Sequence, residues 1–340
     1  GVGLDTRADI ERRSYEDDVT GVTFVSFVYH RQRWAIALYT HQLADFEFNT
    51  RTQGLFAEGP GPLDTYRLFD RNDRSNLEIG TYGLAGAFKI LDNLSLGLGL
   101  TYFDGQLRGV QNHYKWDEDS PAGYFGPTSF LPERFVLGAD FATSGSDTGF
   151  SAGLLWRLAR NWSSGFFYRS GPELDFDFRI IAGPESNEPD LPPGAVHTET
   201  TSMQFPDVYG AGLAFKSTGG HLTLSFEWDH VEYSTILGSL GATTSGEFIP
   251  DGDEYHLGAE WAFLESRPLF AVRGGVWRDP NHQVQSEFDN DILEGLLGPA
   301  RDETHFALGF GCAFESFQLD LAVDLSDRQD SLSLSGIYSW

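Results

Sequence analysis

The chain has 340 residues, with 23 basic and 50 acidic side chains and a formal net charge of −27 at pH 7. A chain this acidic is not expected to bind nucleic acid, which is itself a polyanion. Its residues are 14% aromatic and 21% charged, which argues against disorder. The single cysteine, Cys312, excludes an internal disulfide and a thiolate metal cluster.

Large apolar residues alternate with small or polar ones in segment after segment, and helical periodicity is almost absent. In 317–325, five apolar residues share one face, and Gln318, Asp320, Ala322 and Asp324 share the other. There is no run of about 18 apolar residues, so no transmembrane helix is predicted. Strands that alternate in this way can still span a membrane. The pattern predicts about fourteen strands, at 2–14, 19–31, 33–52, 74–90, 94–110, 135–159, 161–181, 205–217, 220–236, 253–264, 268–280, 302–314, 316–327 and 329–340.

The connections between these strands alternate in length. The short ones lie near 31–32, 91–93, 160, 218–219, 265–267 and 315, and the long ones are 53–73, 111–134, 182–204, 237–252 and 281–301. Short turns on one side and long loops on the other are typical of an outer-membrane β-barrel, with the short turns facing the periplasm. We therefore predict an all-β transmembrane antiparallel barrel that forms one domain over 1–340, and a soluble all-β domain is the alternative.

The last predicted strand ends on an aromatic residue, Trp340, and carries a second one, Tyr338, two positions earlier. In a long alternating chain, this pair is typical of the signal read by the barrel-assembly machinery. Aromatic residues near other strand ends suit the girdles at the two membrane interfaces, and Trp34, Trp156, Trp162 and Trp261 are candidates.

Several segments resemble the FadL-type outer-membrane transporters of long-chain fatty acids and other hydrophobic compounds. Residues 76–108 resemble paired strands of that family with a short turn before "LSLGLGL", and 148–176, with "AGLLW" and "YRS", is the best match. "FPDVYGAGLAF" (205–215), the strand at 221–234, and 305–340 follow in family order. The resemblance covers nearly all of the chain from residue 19 onward.

The resemblance implies a fourteen-stranded barrel and an N-terminal hatch that plugs the lumen. This sequence has no hatch segment with Asn-Pro and opens at the first predicted strand, so we expect the hatch to be missing. Family members bind hydrophobic ligands below the extracellular loops and release them sideways through a wall opening at a kink in the third strand. Here the kink is expected at Thr40, His41, Gln42 and Leu43, where the alternation becomes irregular. Leu43 lies close to a position at which the family often has glycine.

The alternation also predicts which charged residues face the lumen. The predicted lumenal cations are Arg157, Arg169, Arg179, Arg273 and Lys216, and the predicted lumenal acids are Asp175, Asp177, Glu227, Asp229, Glu260, Asp320 and Asp324. A carboxylated ligand needs a cation, because an unpaired buried carboxylate is costly. Most of these cations are expected to pair with the acids, and Arg169 or Arg273 is the candidate for the ligand. The apolar ligand neighbours are predicted to be Phe103, Leu155, Phe167 and Trp277. An excess of lumenal acids would favour a neutral ligand.

Two apolar segments interrupt the long loops. They are 122–135, with Tyr124, Phe125 and Phe130, and 290–300, with Leu293, Leu296 and Leu297 at helical spacing. They form either an extracellular capture groove for ligand or simple packing over the barrel mouth. Acid clusters at 117–120, 187–190 and 251–254 are expected to be solvated, with Ca²⁺ bridging to lipopolysaccharide as the alternative.

An enzyme is not predicted, because the G-x-S-x-G match at 149–153 (GFSAG) lies within a predicted strand and not at a strand-to-helix elbow, and no His-x-x-x-His metal pair is present. No metal or cofactor is predicted. The leading hypothesis is passive uptake of hydrophobic molecules, either fatty acids or neutral and aromatic hydrocarbons, through a barrel in the outer membrane of a Gram-negative bacterium. The expected partners are the ligand, outer-membrane lipids, lipopolysaccharide and the assembly machinery. The alternatives are a structural or adaptor barrel that binds a protein through its loops, and a porin.

Overall fold

The computed structural model of the chain describes residues 21–52, 56–58, 65–67, 69–115, 130–187, 189–239, 246–287 and 300–339. Within these residues, the main sheet follows a path of thirteen antiparallel strands. They are β1 (Phe24–His30), β2 (Trp34–Thr52), β5 (Asp70–Leu91), β6 (Leu94–Tyr114), β7 (Phe135–Arg157), β8 (Trp162–Arg169), β11 (Val208–Lys216), β12 (Leu222–Val231), β14 (Gly252–Phe263), β15 (Leu269–Asp279), β17 (Glu303–Ala313), β18 (Phe317–Leu325) and β19 (Ser331–Tyr338).

Smaller elements lie outside the thirteen-strand path of the main sheet. A hairpin of β9 (Glu173–Ala182) and β10 (Val196–Gln204) joins the sheet through the pairing of β9 with the outer part of β7. Two short pairs stand apart, β3 (Phe56–Glu58) with β4 (Thr65–Arg67) and β13 (Glu247–Phe248) with β16 (Gln285–Ser286). The helical elements are a 3₁₀ turn at Pro132–Arg134 and α1 (Ser234–Ser239). No described helix is long and apolar enough to cross a membrane.

The alternation predicted from the sequence gives the sheet two chemically different faces. On β6, Leu98, Leu100 and Tyr102 are all exposed on what we call the outward face, with Leu100 at 65% exposure. The outward apolar run of β6 is nine residues long from Leu94 to Tyr102, which is about 30 Å along a strand and about 22 Å high at a barrel tilt near 40°. That height is close to the apolar band of about 25 Å expected of an outer-membrane barrel.

Tryptophans mark the short-turn edge of this outward face. Trp34, Trp156, Trp162 and Trp261 lie at or near the strand ends beside the short connections, and each is between 40% and 47% exposed. Tyr82 and Tyr102, which pair in register, are exposed near the opposite limit of the apolar run. The arrangement matches the two aromatic girdles of an outer-membrane barrel.

Most predicted strand boundaries agree with the structure to within a few residues. The strand predicted at 2–14 lies outside the described residues. The strand predicted at 161–181 is wrong as a single element, because it breaks at Gly171 and Pro172 into β8 and β9. Pro172 has no N–H for a ladder, and the Gly171 N–H donates to Asp207 Oδ1 instead (2.9 Å). The loop predicted at 182–204 contains β10, and the strand predicted to reach 236 ends at Val231 before α1.

The buried apolar core lies between β9 and the inward face of β5 and β6. It consists of Leu77, Ile79, Phe103, Leu174 and Phe176. The predicted lumenal position of Asp175, Asp177 and Arg179 is therefore wrong: these residues alternate with Leu174 and Phe176 and are exposed on the opposite face of β9. The break at Gly171 and Pro172 shifts the alternation by one residue, so even-numbered residues face inward on β9 and odd-numbered ones on β8.

Candidate lumenal binding site

One half of the inward surface carries almost only small side chains. Because residues opposite one another in a sheet lie side by side on the same face, the strand register defines rows across the wall. One row, across β1, β2 and β5–β8, contains Val28, Ala37, Ala85, Gly99, Ser151 and Arg169. The next row contains Ala35, Ala87, Gly97, Gly153 and Phe167. We call these two rows the small-residue wall.

The small-residue wall lines a cavity of about 490 Å³ that is open to the lumen. Its lining includes Ala37, Ala85, Gly153, Phe167 and Arg169. This volume is in the range of pockets that hold small organic ligands. The cavity exists because the inward face of these strands carries alanine, glycine and serine, which leave free space. The outward face of the same strands carries leucine and phenylalanine.

Arg169 is the charged side chain of this cavity. In the described part of the chain it forms no ion pair, since its row neighbours on β7 and β11 are Ser151 and Val208. The side chain is exposed to the space that it lines. An unpaired guanidinium beside an apolar cavity can donate two parallel hydrogen bonds to a carboxylate.

A belt of hydrogen bonds separates the cavity from the buried core. The hydroxyl groups of Tyr39 and Thr101 are 2.9 Å apart, and Thr81 Oγ1 lies 2.6 Å from His41 Nδ1. The ring of Tyr39 occupies the space in front of Gly83, where a Cβ would collide with it. Phe103 is buried in the core beyond this belt, at 3% exposure, so the cavity is closed on that side by polar groups and then by packed apolar ones.

The second half of the inward surface is charged and aromatic, and we call it the charged wall. It is formed by β12, β14, β15, β17 and β18. Arg273 Nε donates to Glu260 Oε2 (2.8 Å), and its Nη1 donates to Asp320 Oδ1 (2.5 Å). The Arg273 guanidinium thus links β14, β15 and β18. Both of the edges through which it could bind a ligand carboxylate are occupied. Of the two cations predicted for a ligand, Arg273 is engaged by the protein and Arg169 is not.

Trp277 also belongs to the charged wall. Its ring stacks on His256 (centroids 5.3 Å apart) and on His305 (3.9 Å apart), and its Nε1 donates to Asp324 Oδ2 (3.1 Å). His305 Nδ1 lies 3.2 Å from the other oxygen of Asp324. Trp277 is therefore packed among polar partners on a different wall from Arg169. The predicted ligand-binding residues are not all brought together, because Arg169 and Phe167 line the cavity while Phe103 and Trp277 lie elsewhere.

Leu155 faces inward in the row of Ser95 and Gly165, which is one row nearer the short-turn edge than Phe167. It is 54% exposed, so it lies at the more open end of the lumen.

The predicted irregularity in the third strand coincides with a break in register. The pairing of β2 with β5 shifts between Gln42 and Ala44, so that Leu43 is the bulged residue. On the other side of β2, the register with β1 places His41 opposite Phe24, and a backbone hydrogen bond from Gln42 N to Thr23 O follows (2.9 Å). Thr40 faces outward beside Val25, whereas His41 faces inward. Gln42 Nε2 donates to Asp45 Oδ2 (2.6 Å) across the bulge.

The residues predicted for ligand capture fall largely outside the described residues. This applies to Tyr124, Phe125, Leu293, Leu296 and Leu297. Phe130 is described, and it packs edge-on against Tyr114 and beneath the guanidinium of Arg51, 4.1 Å from its ring centre. Of the predicted assembly signal, Tyr338 is exposed near the end of β19 and Trp340 lies outside the described residues.

Sequence reasoning placed Asp229 in the lumen but missed the group that it forms with Glu254 and His256. Asp229 of β12 lies opposite Glu254 of β14 in the register, and His256 Nε2 lies 3.3 Å from Glu254 Oε2 and 3.8 Å from Asp229 Oδ2. Glu254 is part of the 251–254 acid cluster, which is only partly solvated, because Asp251 accepts a backbone hydrogen bond and Asp253 Oδ1 lies 2.9 Å from His230 Nδ1. The detectable signal was the i, i+2 spacing of Glu254 and His256, which places them on one face of a strand.

Comparison with known proteins gives a consistent result for the fold. No protein-family model and no curated protein matches the chain. Among solved structures, a Pseudomonas aeruginosa FadL homologue has a TM-score of 0.58 at 14% identity and covers 92% of this chain and 74% of its own. The CymD monoaromatic hydrocarbon channel has a TM-score of 0.56 at 15% identity, with 93% and 82% covered. The Ralstonia pickettii toluene transporter TbuX has a TM-score of 0.53 at 15% identity, with 92% and 78% covered.

The antiparallel sheet and the exposed apolar band define the chain as a transmembrane β-barrel protein. Within that class, it has the FadL-type fold predicted from its sequence.

Proposed function

We propose that the protein is a passive channel that takes up hydrophobic small molecules across the outer membrane. The observation that carries this proposal is the cavity of about 490 Å³ behind the small-residue wall, which lies at the depth of the outward apolar band. Removal of an apolar ligand from water is favourable by about 25 cal/mol per Å² of buried surface, so such a cavity would concentrate hydrophobic molecules. The FadL-type fold supports the same conclusion.

The chemistry of the cavity suggests how the ligand is oriented. Arg169 is its charged group and has no acid in its register row, so it is free to bind an anionic end group. We infer a ligand with an apolar body against Phe167 and a carboxylate at Arg169. A neutral hydrocarbon would use the same cavity without this contact.

The bulge at Gln42, Leu43 and Ala44 is the proposed exit. The register between β2 and β5 shifts at Leu43, next to a backbone hydrogen bond from Gln42 N to Thr23 O that continues the pairing of the first two strands (2.9 Å). A wall whose ladder is interrupted by a bulge is a suitable place for a hydrophobic ligand to leave sideways into the membrane.

Substitution in the cavity tests the transport function. Ala85→Phe is expected to fill the space behind the small-residue wall and to reduce uptake of a labelled fatty acid or of toluene severalfold. Leu84→Phe is the matched control, because Leu84 is the preceding residue on β5 and faces outward at 50% exposure. If uptake is the same in the wild type, in Ala85→Phe and in a deletion strain, the barrel does not transport these molecules, and the adaptor function becomes the better explanation.

Arg169→Leu tests the proposed orientation of the ligand. A hydrogen bond to a charged group contributes roughly 1.5–3 kcal/mol, so loss of this contact is expected to weaken binding of a carboxylated ligand about tenfold or more. Binding of a neutral hydrocarbon is expected to remain unchanged. Equal effects on both ligands would show that Arg169 shapes the cavity and does not recognise the end group.

A reversible cross-link tests the exit. Phe24 and His41 are opposite one another, as are His30 and Ala35 at the short-turn end of the same strand pair. In a Cys312→Ser background, cysteines at 24 and 41 are expected to form a disulfide that slows uptake until a reductant is added. Cysteines at 30 and 35 are expected to cross-link without an effect on uptake. Unaltered uptake with the 24–41 pair oxidised would exclude an exit between β1 and β2 at this level.

A further inference from the structure

The charged wall contains a group of side chains that transport of a hydrophobic ligand does not require. Asp229, Glu254 and His256 each offer one ligand atom, and these three atoms all lie within 4.8 Å of one another. The three residues come from the neighbouring strands β12 and β14 and face the lumen, and Gly210 of β11 separates Asp229 from Phe167 of the cavity. We propose that they form a binding site for a divalent transition-metal ion, with Zn²⁺ as the best fit.

The distances suit a small ion. Ligand atoms about 2.0–2.2 Å from a tetrahedral Zn²⁺ ion lie about 3.3–3.6 Å from one another. His256 Nε2 lies 3.3 Å from Glu254 Oε2 and 3.8 Å from Asp229 Oδ2. These two distances are within about 0.5 Å of the tetrahedral values, and the two carboxylate oxygens lie within 4.8 Å of each other. One imidazole and two carboxylates form a mixed set that suits Zn²⁺ better than Ca²⁺ or Mg²⁺, which prefer oxygen ligands alone.

A second observation comes from Asp229. The residue is only 9% exposed, and its Oδ1 is buried and accepts no hydrogen bond within the described structure. Oδ1 lies against Gly210 of β11, and the other oxygen, Oδ2, faces His256. Burial of a carboxylate is costly unless its charge is compensated, and a cation held at Oδ2 would compensate it. Glu227 adds negative charge, because it lies directly opposite His256 in the register.

The lumen-facing arginine of the neighbouring strand β15 does not compete with a metal ion for these carboxylates. Arg273 of β15 is already held by Glu260 and Asp320. The ring of His256 lies nearly parallel to that of Trp277, with 10° between the planes, so its orientation is restrained before an ion binds. Three protein ligands leave a fourth position that water would fill from the lumen.

Titration of the purified, detergent-solubilised protein with Zn²⁺ after treatment with EDTA tests this site. One saturable Zn²⁺ per chain is expected, and Co²⁺ in its place should give the visible absorption of a tetrahedral site. His256→Asn and Glu254→Gln are each expected to weaken binding at least about tenfold, which is the smallest effect usual for disturbing a metal's surroundings. Asp229→Asn serves as a third variant.

His197→Asn is the matched control. His197 faces Glu199 at 4.0 Å on the exposed hairpin strand β10, with more than half of each side chain exposed. This variant should bind Zn²⁺ as the wild type does. Circular dichroism and the heat-dependent shift in gel mobility will show which variants fold. The Zn²⁺ affinity of any one folded ligand variant, compared with that of the wild type, is sufficient for the test.

Three results would overturn the proposal. The first is the absence of saturable Zn²⁺ binding, in which case His256 is simply an ion-pair partner of the two carboxylates. The second is equal affinity in the wild type and in a folded His256→Asn variant. The third is displacement of Zn²⁺ by an equal concentration of Ca²⁺, which would indicate an unselective acidic cluster.

Discussion

The small-residue wall and the charged wall are parts of the same sheet, with the same alternation of inward and outward residues, yet they have opposite chemistry. Across β1, β2 and β5–β8, the inward rows contain alanine, glycine and serine and leave a cavity. Across β12–β18, they contain carboxylates, imidazoles, an arginine and a tryptophan that bind one another. One wall thus makes room for a ligand, and the other fills its share of the lumen with protein contacts.

The two walls also differ in whether their arginine side chains have carboxylate partners. On the charged wall, Arg273 has two carboxylate partners. On the small-residue wall, Arg169 has no ion-pair partner in the described chain and lies beside free volume. An arginine held by two acids stabilises the fold, while an arginine beside a cavity is available for a ligand.

The junction of the two walls is expected to give the largest effect. Gly210 lies between Phe167 and Asp229 in the register, and a Cβ there would collide with Asp229 Oδ1 and lie 2.7 Å from Phe167 Cε1 and 2.8 Å from the backbone oxygen of Trp228. Gly210→Val is expected to lower the free energy of unfolding by about 3 kcal/mol, as overpacking does. Urea titration of the folded barrel, followed by tryptophan fluorescence, will measure it.

Gly153→Ala is the control for Gly210→Val. The added Cβ would be 3.6 Å from its nearest neighbour, the backbone oxygen of Phe166, which is an ordinary contact. A change of less than about 0.5 kcal/mol is expected, as for a substitution away from special features. If both variants lose the same stability, the small-residue wall is packed as tightly as the junction.

The two arginines provide the next test. Arg273→Leu leaves Glu260 and Asp320 facing each other without a cation. The loss of unfolding free energy is expected to be about 1–2 kcal/mol, less than for a fully buried pair because solvent still reaches these groups. Arg169→Leu should change stability by less than about 0.5 kcal/mol. A larger loss for Arg169→Leu than for Arg273→Leu would contradict the division between the walls.

A smaller effect is expected for Trp277→Phe. The change removes the hydrogen bond to Asp324 (3.1 Å) but keeps an aromatic ring against His305. A loss of about 1 kcal/mol is expected from one such hydrogen bond. Trp261→Phe on the outward face of β14 is the comparison, since Trp261 is 47% exposed. The same urea titration applies, and equal losses would mean that the indole hydrogen bond adds nothing.

The smallest effect concerns His282, which lies in the loop after β15. A hydrogen bond with Asp279 raises the pKa of His282 above its ordinary value of 6.5. A raised pKa in the folded state means that the stabilisation is fully present below the unfolded value and is lost as pH rises through the folded one. At about pH 5.5, His282→Asn should therefore be less stable than the wild type by about 0.5 kcal/mol or less. At about pH 8.5, the two proteins should be equally stable. A difference that persists at the higher pH would point to the stacking of His282 on Tyr233 instead.

Much of the sheet could be predicted from the alternation of residues. The bounds of β2, β14 and β15 agree with the prediction to within one residue, because two-residue periodicity and turn residues are local properties. The irregularity at Thr40–Leu43 was also visible in the sequence, since a bulge interrupts that periodicity.

The inward or outward position of β9 could not be predicted in the same way. Continuation of the alternation of β8 put Asp175 inside, but the break at Gly171 and Pro172 released the chain from β8 and let β9 pair with β7 in a different phase. The choice between Arg169 and Arg273 was open for a similar reason. It depends on which strands are neighbours and in which register, and a single strand does not contain that information.

The strands differ in length around the described sheet, so the side formed by β5, β6 and β7 is taller than the side formed by β11, β12 and β14. β5, β6 and β7 have 22, 21 and 23 residues, whereas β11, β12 and β14 have 9, 10 and 12. On β6, the outward face changes from Tyr102 to Asp104, Gln106 and Arg108, so the extra length stands in water above the membrane. The ten or so additional residues raise one side by roughly 25 Å along the membrane normal. β9 covers the inner surface of this tall side at Leu77, Ile79 and Phe103, and the cavity lies below it, at the level of Gly97 and Gly99.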